Sequence, residues 1–388
     1  MADIETGWSP ACDSQTPASD EWGVLKVSAV TSGQFDSREA KRLPSGLRPR
    51  PHIEVKEGDV LVARANGVRS LVGVVCQVGP TRRRLMLSDK VLRLLPDESK
   101  AERDFLPVLL RSARVRSQVE SLLNGGTGQN NISQTDIRSL LVPCVGLDAQ
   151  RRIVAAHAAF ERRIAGLERV REKLRVAERA TLASLVSRAA SSERMLLSDL
   201  LEDIETGWSP ACDSRPPAGD EWGVIKVSAI TSGRFEPRES KRLPEGLVPR
   251  SRIEIREGDI LVARANGART LVGAVCQVGP TRRKLMLSDK ILRIIPDQTQ
   301  AESAFLPVLL RSEGVRRQIG NLLNGGTGQN NISQADLRAL EVPRLTLEEQ
   351  QQIIATQANW QRRFEAVGSQ MEKLRMVQQA VTEDLLCC

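Results

Sequence analysis

The sequence predicts an α+β protein built twice: two tandem globular domains, each followed by a long helix, with the two helices packed on one another. Three observations lead there. Ile4–Leu140 returns at Ile204–Leu340 without a gap and with roughly 100 of 137 positions unchanged, a period far too long for a solenoid and read as a tandem pair of domains. Within each copy strand signals come first and helix signals later, the order of an α+β domain. Behind each copy lies a segment with no proline and one glycine, periodic in the helical sense.

In the first copy, Gly7–Asp20 is rich in Gly, Ser, Pro and Asp and reads as a loop. Gly23–Val30 alternates apolar and polar residues and reads as a strand, closed by Thr31-Ser32-Gly33. The polar stretch to Arg50 shows no periodicity and reads as a surface loop. Glu57-Gly58-Asp59 is a turn into a strand over Val60–Arg64, and Ala65-Asn66-Gly67 is a turn signal at its end. Leu71–Val78, Leu85–Leu87 and Val91–Leu95 are further β-rich runs. Phe105–Arg111 and Val115–Leu123 then space apolar residues helically, the second stopping at a C-cap signal, Asn124-Gly125-Gly126. Ser133-Gln134-Thr135-Asp136 resembles a capping box opening a short helix before Pro143.

The long helices span Asp148–Arg188 and Glu348–Leu386. Ile153, Phe160, Ile164, Leu167 and Leu174 form a heptad seam on the first; Ile353, Trp360, Phe364, Val367, Met371 and Leu374 share its register on the second. About 40 residues of helix are roughly 60 Å long. One narrow apolar stripe on each needs a partner, and the matching registers predict that the two helices pair. The expected segments are 1–147 and 195–347 for the domains, and 148–194 and 348–388 for the helices.

Composition agrees with soluble domains. The 388 residues are 40% hydrophobic, enough for two or three cores. No apolar run approaches the ~18 residues of a membrane span, and no leader opens the chain, so the protein is expected to stay where it is made. The seven cysteines contain no C-x-x-C, which argues for reduced, structural thiols. Net charge is +8, and the excess lies in residues 1–200, with 31 Lys+Arg against 24 Asp+Glu; residues 201–388 have 25 against 24. Such basicity permits nucleic-acid binding without establishing it.

Enzyme signatures are missing. His52 and His157 are replaced by Arg252 and Gln357 in the repeat, which excludes a duplicated catalytic histidine. Gly125–Asn131 lacks the Lys-Ser/Thr of a phosphate loop and follows a helix. The chain has no tyrosine, no Asn/Asp-Pro-Pro-aromatic motif and no G-x-G-x-x-G. Glu57 and Asp59 read as a turn rather than as metal ligands.

Basic clusters carry the functional signal. Thr81-Arg82-Arg83-Arg84 and Thr281-Arg282-Arg283-Lys284 keep their charge in both copies, and arginine forks suit phosphates and the guanine edge; a solvated turn is the plainer reading. Arg64, Asn66 and Arg69, with Arg264, Asn266 and Arg269, stand at a strand–turn edge, where asparagine can read adenine or simply form the Asn-Gly turn. Lys41, Arg42 and Arg50, with Lys241, Arg242 and Arg250, are candidates for phosphate contact from the long loop. Trp8 and Trp22 read as core aromatics. The first long helix is densely basic, but Glu168–Arg171 and Glu172–Arg175 are i,i+3 pairs, the pattern of a salt-bridged, solvated face.

Taken in order, Gly7-x-Ser9-Pro10, Val24–Val30, Glu57–Asn66, Leu87-Ser88-Asp89-Lys90, Gly126–Gln134 and Pro143 followed by Gln150 and Ile153 resemble the target-recognition domain and helix entry of the specificity subunits of type I restriction–modification systems. The resemblance covers essentially the whole chain, twice. It implies an antiparallel coiled coil of the two helices, internal pseudo-twofold symmetry, and one half of a bipartite DNA target read by each domain. It also implies two methyltransferase subunits docked on the helices, with restriction and translocase subunits able to join them, in the cytoplasm of a bacterium or archaeon. S-adenosylmethionine belongs to the partner methyltransferase; this subunit would hold no cofactor, no metal and no catalytic residue. The likeness of the two copies predicts a palindromic target. Gln15/Arg215, Gln34/Arg234, Arg48/Val248, His52/Arg252 and Arg114/Gly314 are the differences able to alter one half-site. One departure is that Met195–Glu202 precedes the second copy, whereas the first begins at Met1-Ala2-Asp3, so the first domain is expected to lack an opening strand or to borrow one. A stand-alone DNA-binding regulator or architectural protein, and a self-sufficient nuclease or methyltransferase, are the competing classes.

Overall fold

The computed structural model describes residues 3–123, 130–189, 193–326 and 329–387. It divides into two compact units, one of Met1–Glu168 with Gly368–Cys388, the other of Arg169–Val367. Each unit therefore takes in one domain and part of both long helices, a grouping that cuts across the four sequence segments.

The first domain is three layers around a central antiparallel sheet. The strands are β1 (Asp3–Thr6), β2 (Gly23–Leu25), β3 (Ala40–Arg42), β4 (Val60–Ala63), β5 (Ala65–Asn66), β6 (Val75–Gln77), β7 (Leu85–Met86), β8 (Val91–Leu95) and β9 (Asn130–Asn131). The helices are α1 (Ser28–Thr31), α2 (Phe105–Arg111), α3 (Ala113–Leu122), α4 (Gln134–Arg138) and the long α5 (Leu147–Ala189). The central sheet has the order β1-β8-β4-β6, with Ile4 opposite Leu94 and Leu61 opposite Arg93. Because side chains alternate across a strand, Ile4, Val60, Val62, Leu92 and Leu94 face one way and join α2 and α3 in one core. Leu61, Ala63, Cys76 and Val91 face the other way and pack on a second sheet, β3-β2-β7. Burial on both faces explains why β4 reads Val-Leu-Val-Ala with no polar residue.

Several sequence expectations change here. The run Val24–Val30 is not one strand: Ala29 and Val30 are neighbours, both fully buried, which a strand with one solvated face cannot provide, so the chain turns helical at Ser28–Thr31. The aperiodic stretch before Arg50 contains β3, whose three residues are too few to show a period; it pairs with β2. Leu71–Val78 begins as a 3₁₀ turn over Arg69–Leu71 and enters β6 only after Gly73, at φ +73°. Ala65-Asn66, expected as a turn, is strand β5 paired with β9, whereas Val91–Leu95 and Phe105–Arg111 have the predicted bounds, and Ser133 and Asp136 form the reciprocal capping box.

The second domain repeats the plan through β11 (Leu201–Thr206), β12 (Gly223–Ile225), β13 (Ser240–Arg242), β14 (Ile260–Ala263), β15 (Ala265–Asn266), β16 (Val275–Gln277), β17 (Leu285–Met286), β18 (Ile291–Pro296), α6 (Phe305–Arg311), α7 (Glu313–Leu322) and α8 (Gln334–Arg338). The C-cap expected from Asn-Gly-Gly is instead strand β19 (Asn324–Gly326), paired with β20 (Gln329–Asn331); its counterpart Asn124–Gly126 lies outside the described residues. The second domain also has β10 (Arg194–Leu196), paired with β21 (Glu341–Pro343), before the long α9 (Leu347–Cys387).

The helix segments pair within each unit. In the first, buried Gln378 donates to the Glu161 carboxylate at 2.7 Å and to the His157 carbonyl at 3.5 Å, and Arg375 meets Glu168 at 3.3 Å. One number rises while the other falls, so the segments run antiparallel. In the second unit, Gln357 donates to Glu178 at 3.0 Å; His157 with Gln378 and Gln357 with Glu178 are the same two repeat positions with the helices exchanged. Ile164, Leu167 and Met371 are buried near the polar rungs, whereas Phe160, Leu174, Trp360, Phe364, Val367 and Leu374 are half-buried. Ile153 and Ile353 sit in the domain cores. The expected Glu168–Arg171 pair gives way to Glu168–Arg375; Glu172–Arg175 is present at 3.4 Å.

Candidate nucleic-acid interface

Four motifs far apart in sequence meet at one seam in the first domain. Gly7 lies so close to Leu87 that a Cβ would stand 2.1 Å from its backbone carbon and oxygen; only glycine allows this approach. Trp8 N–H then donates to the Leu87 carbonyl at 3.0 Å, and Ser9 and Asp89 exchange side-chain and backbone hydrogen bonds. Arg64 N–H donates to the Lys90 carbonyl at 2.8 Å, and the Arg64 carbonyl accepts from Ile132 N–H at 3.0 Å. Beside it β5 pairs with β9, and the Asn130 amide donates to the Gly67 carbonyl at 3.3 Å. The same seam recurs around Gly207, Ser209, Arg264, Asp289 and Asn330.

Exposed chemistry gathers along this seam. Arg50 stacks its guanidinium 4.2 Å over the Trp8 ring, and Arg250 does the same on Trp208, which fixes a cation at the edge of the core. Trp8 is only partly buried. Arg64 and Arg264 are half-exposed, each with one long bond of 3.4 and 3.5 Å to the carbonyl of Asp89 or Asp289. Lys90 and Ser9 are exposed. Beneath them the Ser88 and Ser288 hydroxyls are buried without a hydrogen-bond partner.

The remaining predicted residues divide by what they touch. Asn66 and Asn266 accept from N–H groups two residues on, at 2.9 Å, which makes them turn formers. Arg69 and Arg269 donate to the carbonyls of Glu120 and Gly320 near the ends of α3 and α7. Arg42 pairs with Asp13 and Glu21, and Arg242 with Asp213, Glu221 and Glu245. Arg82 clamps the carbonyls of Pro17, Ser19 and Glu21, as Arg282 does those of Pro217, Gly219 and Glu221. Arg84 reaches the Asp20 carbonyl and Lys284 the Asp220 carboxylate. Arg84 and Lys284 also adopt φ +65°, a left-handed backbone that costs a non-glycine residue about 1 kcal/mol. The Gly23 N–H bond to the Arg84 carbonyl at 2.8 Å and the Arg84 N–H bond to Glu54 at 2.6 Å hold it there. The loop so fixed leaves Arg83 and Arg283 exposed, along with Lys41 and Lys241.

Arg93 was missed by sequence reasoning. All five of its N–H groups are bonded: to Glu5 twice, to Asp59, and to the Glu54 and His52 carbonyls. Burial works against its charge, but the bonds to Asp59 and Glu5 more than offset this and raise its pKa above the ordinary value. Arg293 repeats the network with Glu205 and Asp259. A lone charge in the apolar run Val-Leu-Arg-Leu-Leu was the available signal. Among the described residues, no group of three or more His, Cys, Asp or Glu is arranged to hold a metal, and no helix is long and apolar enough to cross a membrane. Burial pushes the Cys76 and Cys276 thiols up to about 12, far from the range of a nucleophile.

No family model matches the chain. Over 164 residues, 41% of its length, it is 37% identical to the specificity subunit of type I restriction enzyme EcoEI from Escherichia coli, and the match spans 27% of that subunit. The EcoKI specificity subunit of Escherichia coli K12 is 21% identical over 352 residues, 85% of this chain and 73% of that one. A solved chain from work on complex assembly and conformational transition of the type I R-M system aligns over 100% of this chain and 99% of its own, with a TM-score of 0.57 at 19% identity, a likeness of fold. Fold and seam thus define a tandem α+β protein with paired long helices. The relatives it is similar to are specificity subunits of type I restriction enzymes.

Proposed function

We propose that this chain is the non-catalytic DNA-recognition and scaffold subunit of a type I restriction–modification complex. Each domain reads one half of a bipartite duplex target, and the paired helices dock two methyltransferase subunits, which hold S-adenosylmethionine. Restriction and translocase subunits join that core. The observation that carries this reading is the motif seam, which gathers arginine, lysine and asparagine at one edge of each domain. Phosphate contact falls to Lys41, Arg50, Arg64, Arg83 and Lys90 and to their counterparts: Lys41, Arg50, Arg83 and Lys90 are exposed, and Arg64 is half-exposed with a single long side-chain bond to the Asp89 carbonyl. The side chains consumed by the protein, Arg42, Arg69 and Arg82, position the loops instead.

The two seams share Gly, Ser, Arg, Asn and Asp at equivalent positions, so both domains read the same half-sequence. A pseudo-twofold arrangement then makes the target an interrupted palindrome. Arg215 is the clearest local difference, and it pairs with Glu221 at 2.6 Å, which keeps it from free contact with a base. A methylation map of a host carrying the system tests the proposal: one inverted half-sequence on both sides of a gap is expected, and two unrelated half-sites would overturn the palindrome. Copurification with two methyltransferase chains is expected; a chain that binds DNA specifically without them would favour the regulator instead.

A further inference from the structure

Asn66, Asn130 and Asn131 all lie on the seam, and the strand ladder sorts them. β5 and β9 are antiparallel, with Ala65 opposite Asn131 and Asn66 opposite Asn130. Side chains alternate across a strand, so Asn66 and Asn130 share one face of this ribbon, while Ala65 and Asn131 share the other. The first face turns to the protein. Asn66 accepts from the Val68 N–H at 2.9 Å, the Asn130 amide donates to the Gly67 carbonyl at 3.3 Å, and Ile132, next on that face, is wholly buried. The second face turns to solvent. Asn131 is exposed, its amide has no hydrogen-bond partner among the described residues, and Ala65 across from it contributes only a methyl group.

The second domain sorts its asparagines in the same way. Ala265 stands opposite Asn331 and Asn266 opposite Asn330. Asn266 accepts from the Ala268 N–H at 2.9 Å, Asn330 donates to the Gly267 carbonyl at 3.1 Å, and Ile332 is wholly buried. Asn331 is exposed, again with no side-chain partner among the described residues. A third strand, β19, pairs on its far side, so the backbone under this amide is held from both edges. The ribbon is also anchored at its base. Arg64 N–H donates to the Lys90 carbonyl at 2.8 Å and its carbonyl accepts from Ile132 N–H at 3.0 Å, and Arg264 makes both bonds at the same distances. Each domain thus presents one unengaged amide on a paired backbone, the placement that gives a recognition site its precision.

We propose that Asn131 and Asn331 are specificity-determining residues that read an adenine through the major groove, one in each half of the target; this rests on the DNA-recognition reading above. The major groove admits a two-stranded ribbon, and an asparagine amide there accepts from the adenine N6 amino group and donates to N7. The Ala65 and Ala265 methyls share the ribbon face with these amides, and a methyl group suits the 5-methyl of thymine. Exposed Lys90 and half-exposed Arg64 at the base of the ribbon supply charge for the flanking phosphates. The role that sequence gave to Asn66 therefore passes to Asn131, because Asn66 spends its side chain on the turn. Asparagine can also donate to phosphate, and the test separates that contact from base reading.

The test uses the complex isolated from its host and a duplex carrying the target found by the methylation map. Replacing one adenine at a time with 7-deazaadenine removes the N7 acceptor and leaves the pairing edge and the minor groove as they were. At one adenine in each half-site this is expected to weaken binding about fivefold or more. Asn131→Ala combined with Asn331→Ala is expected to weaken binding to the target by about tenfold, to leave binding to an unrelated duplex unchanged, and to abolish the 7-deazaadenine penalty. Asn131→Asp combined with Asn331→Asp keeps the shape but trades the amide donor for an acceptor, and is expected to favour cytosine at those positions. Both sites are exposed, so the melting temperature is expected to hold in either variant. A 7-deazaadenine penalty that is absent, or equal in the parent and the alanine variant, overturns the assignment. Equal losses on the target and the unrelated duplex also overturn it, and make these asparagines phosphate contacts. A parent complex that binds the target no better than a scrambled duplex defeats the DNA-recognition reading and this inference together, whereas a target preference that survives both pairs of substitutions defeats the asparagine assignment alone.

Discussion

Arg93 and Arg83 show how residues of one type divide between fold and function. Arg93 ties β1, β8, the start of β4 and the 52–54 loop together with five hydrogen bonds. Arg93→Met strands Asp59 and Glu5, so a loss of about 3–5 kcal/mol in unfolding free energy is expected by denaturant titration. Arg83 is exposed, so Arg83→Ala is expected to leave unfolding unchanged and to lower the salt dependence of DNA binding by about one counterion. Arg82→Ala should do the reverse, because its guanidinium holds the Pro17–Glu21 loop. Gly7→Ala forces a methyl into the Leu87 backbone; a loss of about 1–3 kcal/mol is expected, read from the melting temperature. These roles were only half legible in sequence: the clusters were visible, but which arginine faced a carbonyl and which faced water depended on loops some 60 residues away.

At the scale of elements, the helix pair carries a histidine whose protonation is linked to folding. Burial lowers the pKa of His157 below its ordinary 6.5, and its carbonyl accepts from Gln378. The folded state therefore holds this proton less readily than the unfolded chain. Its contribution to stability is complete above about pH 6.5 and falls as pH drops toward the depressed folded value. His157→Gln, the residue already present at 357, is expected to flatten that dependence, measured as melting temperature against pH. The helices themselves were legible to within a few residues, since proline-free heptads declare their length. The fate of Ile153 and Ile353 was not: a heptad marks an apolar stripe but does not say which neighbour covers each turn, and here the domain core covers the first. Leu386 is likewise buried in the first domain's core, and the Glu383 carboxylate caps the Ala113 N–H at the start of α3.

For the whole molecule, duplication makes a quantitative demand on DNA binding. If the two seams read the same half-sequence, Arg64→Ala and Arg264→Ala should weaken binding to a palindromic site by equal factors, whereas a single mutated half-site should silence only one of them. Titration of labelled duplexes at fixed salt reads this out, and unequal losses on the symmetric duplex would separate the half-sites. The excess of net positive charge in the first half of the chain, +7 against +1, affects nonspecific attraction more than base choice.

The sequence by itself determined the duplication, the α+β order, the long helices and the family resemblance, because each is written in period and local pattern. Only tertiary structure decided that Gly7-x-Ser9, Arg64–Gly67, Ser88–Lys90 and Asn130–Asn131 form one seam. Their meeting depends on a Gly7–Leu87 approach between residues 80 positions apart, which no local pattern encodes.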